Sequence, residues 1–361
     1  LTKTTLDLDG ARDLLARLKP GLLVLEDKAL NGETPVARLD AEITSACDFF
    51  VRNNGDLPQF EEAARDAWPL AIDGEVERPL ALDLGALKQR FAHHTVTAVL
   101  ECAGNGRALL APAADGLQWR RGAVGCARWT GVRLGDVLRE AGVRPSAIYS
   151  AHESPDRQLG APGKAALSRG LPIAKALADE TLIAFAMNDQ PLPALHGGPL
   201  RIVAPGYPGA AWQKWLSRIW LRDREHDGAK MTGMDYRIDG KVITDMPVKS
   251  LITSPLDGFA ARPGERLELR GFAWSGHVPL ATVEVSPDGG GSWIEASLDP
   301  ARDRFSWRRF RALLLPARPG PVRLMARATD EAGNRQPLGK GAWNPKGYCN
   351  NAVHAIEGMV G

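Results

Sequence analysis

Apolar positions follow three regimes along the chain. Residues 1–45 hold one amphipathic stretch, Ala11 to Lys19, which predicts a short helix in an otherwise extended arm punctuated by proline and glycine. From Asp48 to about Gly240, strand and helix patterns mix. VTAVLEC at 96–102 is an apolar run of strand length, and LGDVLREAG at 134–142 has the spacing of an amphipathic helix closed by Gly142. LIAFAMNDQPLPALHGG (182–198) and PLRIVAPGYPG (199–209) predict strand, turn, strand and loop, because glycine and proline interrupt each apolar run. After Pro247 only short β-type runs recur: KSLITSP, RLELRGFAW, ATVEVSPDGGGSWIEA, FSWRRFRALLL and VRLMARATD. Asp288-Gly289 between two such runs is a hairpin signal. The expectation is an α+β chain: a mixed α/β unit over 1–244, then a small antiparallel sandwich of immunoglobulin-like type over 245–361.

Composition narrows the function classes. A chain of 361 residues exceeds what one core ordinarily serves, and 44% hydrophobic with 24% charged residues excludes a disordered or collagen-like protein. No apolar run approaches the roughly 18 residues of a membrane helix, so no membrane span is expected. The 45 basic and 43 acidic side chains give +2, no global reason to expect nucleic acid, although a local basic pocket is compatible with it. Four cysteines cannot form a disulfide framework and are judged singly. LTKTTLDLDGARDLLARLK has no targeting h-region, and a chain starting at Leu1 without methionine reads as processed or trimmed.

Four places carry candidate chemistry. In ECAGNGR (101–107), Cys102 ends a β run and opens a Gly-Asn-Gly turn, with Arg107 near enough to favour a thiolate. A lone cysteine is more often a small buried hydrophobe, the reading that context alone favours for Cys102 and more strongly for Cys47, Cys126 and Cys349. In HGGPLRIVAPGYPGAAWQK, His196, Arg201 and Lys214 gather around Gly/Pro turns, an arrangement suited to an anion such as a phosphate, or else to a solvated hairpin. FFVRNNG sets Arg52 beside Asn53 and Asn54, and GMDYRIDG offers Tyr236 as an orienting phenol or a half-buried packing residue. Haem-attachment C-x-x-C-H, zinc patterns, G-x-G-x-x-G, the P-loop and G-x-S-x-G are all missing from the sequence.

Taken in order, these segments resemble the sulfite oxidase family of molybdenum enzymes. FFVRNNG is similar to its early Phe-x-x-Arg-Asn segment, ECAGNGR to its Cys-Ala-Gly-Asn-x-Arg loop, and WRRGAVGCARWTGVRLGDVL to its Gly-Ala-x-x-x-Ala-x-Trp-x-Gly stretch. MNDQPLPALHGGPLRIVAPGYPGAAWQKWLSRI resembles its Met-Asn to Lys-Trp-Leu stretch, and SLITSPLDG through AWNPKGYCNN its dimerisation domain. The resemblance implies a molybdenum–molybdopterin cofactor with Cys102 as the metal's thiolate ligand. His196, Arg201 and Lys214 would hold the phosphate end, and Asn53 and Asn54 would line the pterin, the latter often histidine in relatives. Arg52, Arg107, Trp119 and Tyr236 would form the substrate pocket. An arginine of the second domain should join them, with Arg308 chosen over Arg309. Gly106 and Ala211 stand where many relatives have arginine, while Trp212 adds an aromatic; both departures point to a bacterial branch.

The implied reaction is oxidation of sulfite to sulfate by oxo transfer. With no haem motif in the chain, electrons would leave singly for a separate acceptor such as a c-type cytochrome. The resemblance further implies a homodimer and export to the periplasm. Two alternatives stay open: a sulfane dehydrogenase-type subunit acting on carrier-bound sulfur, and a metal-free enzyme using Cys102 as nucleophile and His196 as base.

Overall fold

Helix is confined to the few places where apolar residues recur every three or four positions. In the computed structural model, which describes residues 8–26, 29–339 and 341–361, Leu134–Ala141 is such a helix, burying Leu134, Val137, Leu138 and Ala141. Gly142 ends it at φ 75°, a conformation that favours glycine, and its N–H returns to the Arg139 carbonyl. The arm helix spans Leu8–Leu18 and does not hang free: Leu15 and Leu22 enter the main core.

Strands build the rest. The first unit contains a sheet ordered Gly170–Pro172, Tyr149–Glu153, Arg218–Arg222, Pro69–Gly74, Leu80–Asp83. A second sheet runs Gln190–Pro191, Leu182–Met187, Val124–Arg133, His93–Glu101, with Arg201–Val203 also paired to Leu182–Met187. His93–Glu101 is partly exposed at its start and wholly buried over its last four residues. Cys102 therefore emerges from the deepest part of the sheet. Gly131 approaches the Leu182–Met187 strand closely: a Cβ there would lie 2.1 Å from the Ile183 carbonyl oxygen, so only glycine fits without displacement.

The second unit is a sandwich. One sheet is ordered Lys249–Ser254, Leu267–Trp274, Arg308–Leu314, Ser297–Leu298. The other is ordered Phe259–Ala261, His354–Val360, Gly320–Asp330, Leu280–Ser286, Ile294–Glu295. The hairpin expected at SPDGGGSW joins Leu280–Ser286 to Ile294–Glu295, and the Asp288 carboxylate caps its turn by accepting from the Ser292 N–H at 2.8 Å. The C-terminal strand His354–Val360, which pairs parallel with Phe259–Ala261, was not expected from the pattern.

The two units share a seam. Val99, Val124 and Cys126 of the first pack with Leu251, Phe272, Trp274 and Trp307 of the second. A buried polar knot reinforces it. Glu101 accepts from Lys249 Nζ at 2.5 Å and Asn105 Nδ2 at 3.0 Å through one oxygen, and from Trp274 Nε1 at 2.9 Å through the other. The residue before Cys102 is thus tied to the sandwich.

Candidate active site

Beside that knot the chain encloses a cleft of about 660 Å³. Arg52, Asn54, Cys102, His196, Arg201, Lys214 and Tyr236 all line it, so seven of the residues singled out from the sequence meet in one place. Cys102 is 7% exposed, its N–H donating to the Ala123 carbonyl at 2.9 Å and its own carbonyl accepting from Asn105 at 2.9 Å. Burial pushes the thiols of Cys126 and Cys349 up to about 12, keeping them protonated.

The opposite part of the cleft is a nest of cations. Arg201 donates to the carbonyls of His196 at 2.7 Å and Trp212 at 3.0 Å, and its guanidinium lies 5.0 Å from the Trp129 ring centroid. Lys214 Nζ donates to the Asn53 side-chain oxygen and to the Leu195 carbonyl, and sits 4.2 Å from the Trp215 ring centroid. Among the described residues neither forms a salt bridge with a carboxylate. Burial first, then repulsion from Arg201, holds the Lys214 ammonium far below its ordinary range; burial alone lowers Arg201 to about 9. Asp156 also faces the cleft; burial raises its carboxyl to about 6, and near neutral pH its remaining negative charge favours the Lys214 ammonium. One carboxylate against several cations leaves positive charge that a further anion would offset.

His196 is held neutral by burial and by the Lys19 charge, and its Nε2 lies 2.6 Å from Lys19 Nζ. Lys19 comes from the arm and also donates to the carbonyls of Ala46 and Phe49. Among the described residues His196 Nε2 meets Lys19 and the Ala46 carbonyl, and no hydrogen bond joins the ring to Cys102.

Residues 54–230 match the family described as Oxidoreductase molybdopterin binding domain, and residues 240–359 match the Mo-co oxidoreductase dimerisation domain. Sulfite oxidase of Gallus gallus is 34% identical over 93% of this chain and 77% of its own length; that of Arabidopsis thaliana is 30% identical over 93% of each. The chain belongs to the sulfite oxidase family. It spans 66% of the length of the mitochondrial sulfite oxidase of Rattus norvegicus, to which it is 33% identical. The sulfane dehydrogenase SoxCD from Paracoccus pantotrophus superposes with a TM-score of 0.80 at 26% identity, over 100% of this chain and 96% of that one. Membership makes the protein an oxidoreductase enzyme, a molybdopterin-binding domain followed by a dimerisation domain.

The donor set fits that family's cofactor. Cys102 would offer a soft thiolate to a metal whose other donors are pterin sulfurs, and the excess of cations in the cleft suits a phosphate.

Not every expected family residue reaches the cleft. Asn53 stands behind it, accepting from Lys214 and donating to the Leu30 carbonyl at 3.1 Å. Trp119 is 1% exposed and packs edge-on against Phe50, which does line the cleft. Arg107 turns away to donate to the carbonyls of Lys346 at 2.7 Å and Leu117 at 2.7 Å. Arg308 is a correction. Its guanidinium donates to the carbonyls of Asp299 at 2.7 Å and Leu280 at 3.2 Å inside the sandwich, because its place in the pairing with Leu267–Trp274 aims it there. Arg309 does not serve either, since it pairs with Asp40 at 2.8 Å.

Three residues were missed. Lys19 lies in an arm that carries no motif, and Asp156 in an ordinary Ser-Pro-Asp turn. The third is Arg169, fully buried, whose guanidinium carbon lies 5.1 Å from the Tyr236 ring centroid.

Proposed function

We propose that this enzyme oxidises sulfite to sulfate at a molybdenum–molybdopterin centre and passes electrons singly to a separate acceptor, a c-type cytochrome. The observation that carries the reading is the lining of the cleft: the Cys102 thiol and the Tyr236 phenol share it with Arg52, Arg201 and Lys214, which outnumber its one carboxylate, Asp156. The bound cofactor supplies the oxo-transfer and redox chemistry.

The chain's own residues supply binding and orientation. Cys102 would ligate the metal through Sγ, and His196, Arg201 and Lys214 would hold the phosphate. Arg52 is braced from behind, donating to Asn31 Oδ1 at 3.2 Å and Asn54 Oδ1 at 2.8 Å. A guanidinium so oriented binds the oxygens of a compact oxyanion, each charge-assisted bond contributing roughly 1.5–3 kcal/mol. Tyr236 would donate a hydrogen bond at the reacting end or carry a proton from it. Phe50, Leu100, Leu195 and Trp212 wall the cleft against water.

Sulfite-dependent reduction of cytochrome c or ferricyanide, with one molybdenum per chain, is the expected result. A molybdenum-loaded protein inert toward sulfite overturns the reading. A second reading, dehydrogenation of carrier-bound sulfane sulfur, draws support from the likeness to the Paracoccus pantotrophus enzyme along the whole chain. Turnover of the carrier-bound substrate without turnover of free sulfite would favour it. We also propose a symmetric homodimer, supported by the dimerisation domain, and a periplasmic enzyme, on family grounds. Sedimentation and cell fractionation test these two.

A further inference from the structure

Tyr236 belongs to a series of ring contacts that passes through the second unit. The Arg169 guanidinium carbon lies 5.1 Å from the Tyr236 ring centroid. Tyr236 stacks on Tyr348 at 5.3 Å and 15°, and Arg107 lies 5.4 Å from the Tyr348 centroid. Two cations thus flank a stacked pair of phenols, an arrangement favoured by the negative potential of the ring faces.

Neither end of the series is explained by packing alone. Arg169 is fully buried, has no carboxylate partner, and its Nε hydrogen-bonds to nothing; its Nη1 donates to the Lys230 carbonyl. Tyr236 has φ 53°, a left-handed conformation that a tyrosine adopts only when its surroundings hold it there. Tyr348 is delivered by a loop locked to the cysteine loop: Cys349 N–H donates to the Ala103 carbonyl at 2.8 Å, and Asn350 Nδ2 to the Gly106 carbonyl at 2.8 Å. Asn344 braces Tyr348 from within, accepting from its N–H at 3.0 Å and donating to its carbonyl at 2.8 Å.

We propose that Arg169 and Tyr348 are positioning residues that fix the Tyr236 phenol in the cleft, Arg169 by its charge against the ring and Tyr348 by stacking. The second unit thereby contributes an aromatic to the site, where an arginine was expected. The kinetic consequence rests on Tyr236 serving sulfite oxidation; the positioning itself does not. Because neither residue lines the cleft, the effect falls on kcat more than on KM.

Backbone hydrogen exchange over residues 231–243 in the full chain, with and without cofactor, tests the positioning directly. Arg169→Met and Tyr348→Leu should each raise exchange there by about tenfold or more, while Arg169→Lys and Tyr348→Phe, which keep the charge and the ring, should rescue it. Sulfite kcat should fall about tenfold in Arg169→Met and Tyr348→Leu with KM moved less than about threefold and molybdenum content unchanged. Wild-type exchange and kcat in both disruptive variants would overturn the proposal. So would equal losses in Arg169→Lys and Arg169→Met, which would reduce Arg169 to a space-filler. Should Arg169→Met fail to fold, Tyr348→Leu against Tyr348→Phe decides. A wild-type enzyme inactive on sulfite would sink the substrate reading alone, since the exchange comparison stands without it.

Discussion

Cations in the cleft and cations in the sandwich are held in opposite ways. In the sandwich Arg327 pairs with Glu284 at 2.9 Å, Arg311 with Asp299 at 2.7 Å, and Arg270 with Asp40 at 2.9 Å. In the first unit Arg201, Arg107 and Arg169 are buried more deeply and, with half-buried Lys214, meet carbonyls, an amide or ring faces. A charge paired in partial exposure is scaffold and contributes little either way. A charge buried without a counter-ion persists only where something else compensates for it. The difference separates architecture from site without reference to sequence motifs.

Acid should break the two regions apart, with the largest effect of any perturbation considered. Burial lowers His152 to about 3 and His226 to about 4, and holds His196 far below its usual range, all in the first unit. Unfolding releases these rings to ordinary values near 6.5, so the unfolded state binds more protons between that pH and the folded values. Stability of the cofactor-free chain therefore falls as pH drops below about 6.5, by roughly 1.4 kcal/mol per pH unit for each histidine. The sandwich holds one such ring, His354, which burial likewise keeps well below its ordinary range, against three in the first unit, and the ion pairs on its face respond only at lower pH. The Asp40 carboxyl, held to about 2 by Arg270, Thr253 and Arg309 against the opposing effect of burial, keeps its contribution until pH falls below the unfolded value near 3.8. Amide exchange should show sheets of the first unit opening at a higher pH than Leu267–Trp274 and Arg308–Leu314. Simultaneous opening would mean that His354 within the sandwich, or the shared seam, makes the two units equally sensitive to acid.

A substitution series sharpens the same contrast. Lys214→Met should weaken cofactor retention about 10- to 100-fold, the loss of one charge-assisted bond to phosphate, while raising the melting temperature of the cofactor-free chain. Arg327→Met should do the reverse: leave retention untouched and cost about 1 kcal/mol by leaving Glu284 only its longer pair with Arg335 at 3.8 Å. Molybdenum content and calorimetry on both forms check each. A Lys214→Met chain that is less stable without cofactor would show that the carbonyl contacts of Lys214, rather than an anion, justify its burial.

Much of this was legible beforehand, and the failures have a common cause. Local pattern sufficed for the helix at Leu134–Ala141, the hairpin after Ser286, and the strand carrying Cys102, since each depends on neighbours within a few residues. The cleft's own motif residues were also readable, because Cys102, His196, Arg201 and Lys214 sit on short segments with distinctive turns. Lys19 and Arg169 were not, because what matters in each is a contact with His196 or Tyr236 made by distant chain. Tyr348 lay in a quoted segment, AWNPKGYCNN, but its register against Ala103 and Gly106 is set by hydrogen bonds that no spacing reveals. Arg308 failed for a related reason: a strand's alternation gives two faces, not which face meets which domain.

Arg308 also tests the limits of the contrast, with the smallest expected effect. Like the cleft cations it donates only to carbonyls, yet it is half-buried rather than enclosed, so water completes its solvation. Pairing alone would classify it with the site; pairing together with burial does not. Arg308→Ala should cost about 1 kcal/mol from its bonds to Asp299 and Leu280 and leave the KM for sulfite within about twofold. A tenfold rise in KM with normal molybdenum content would mean that Arg308 reaches substrate in the working enzyme. The criterion for a site would then have to be the missing carboxylate by itself, and burial would lose its place in the argument.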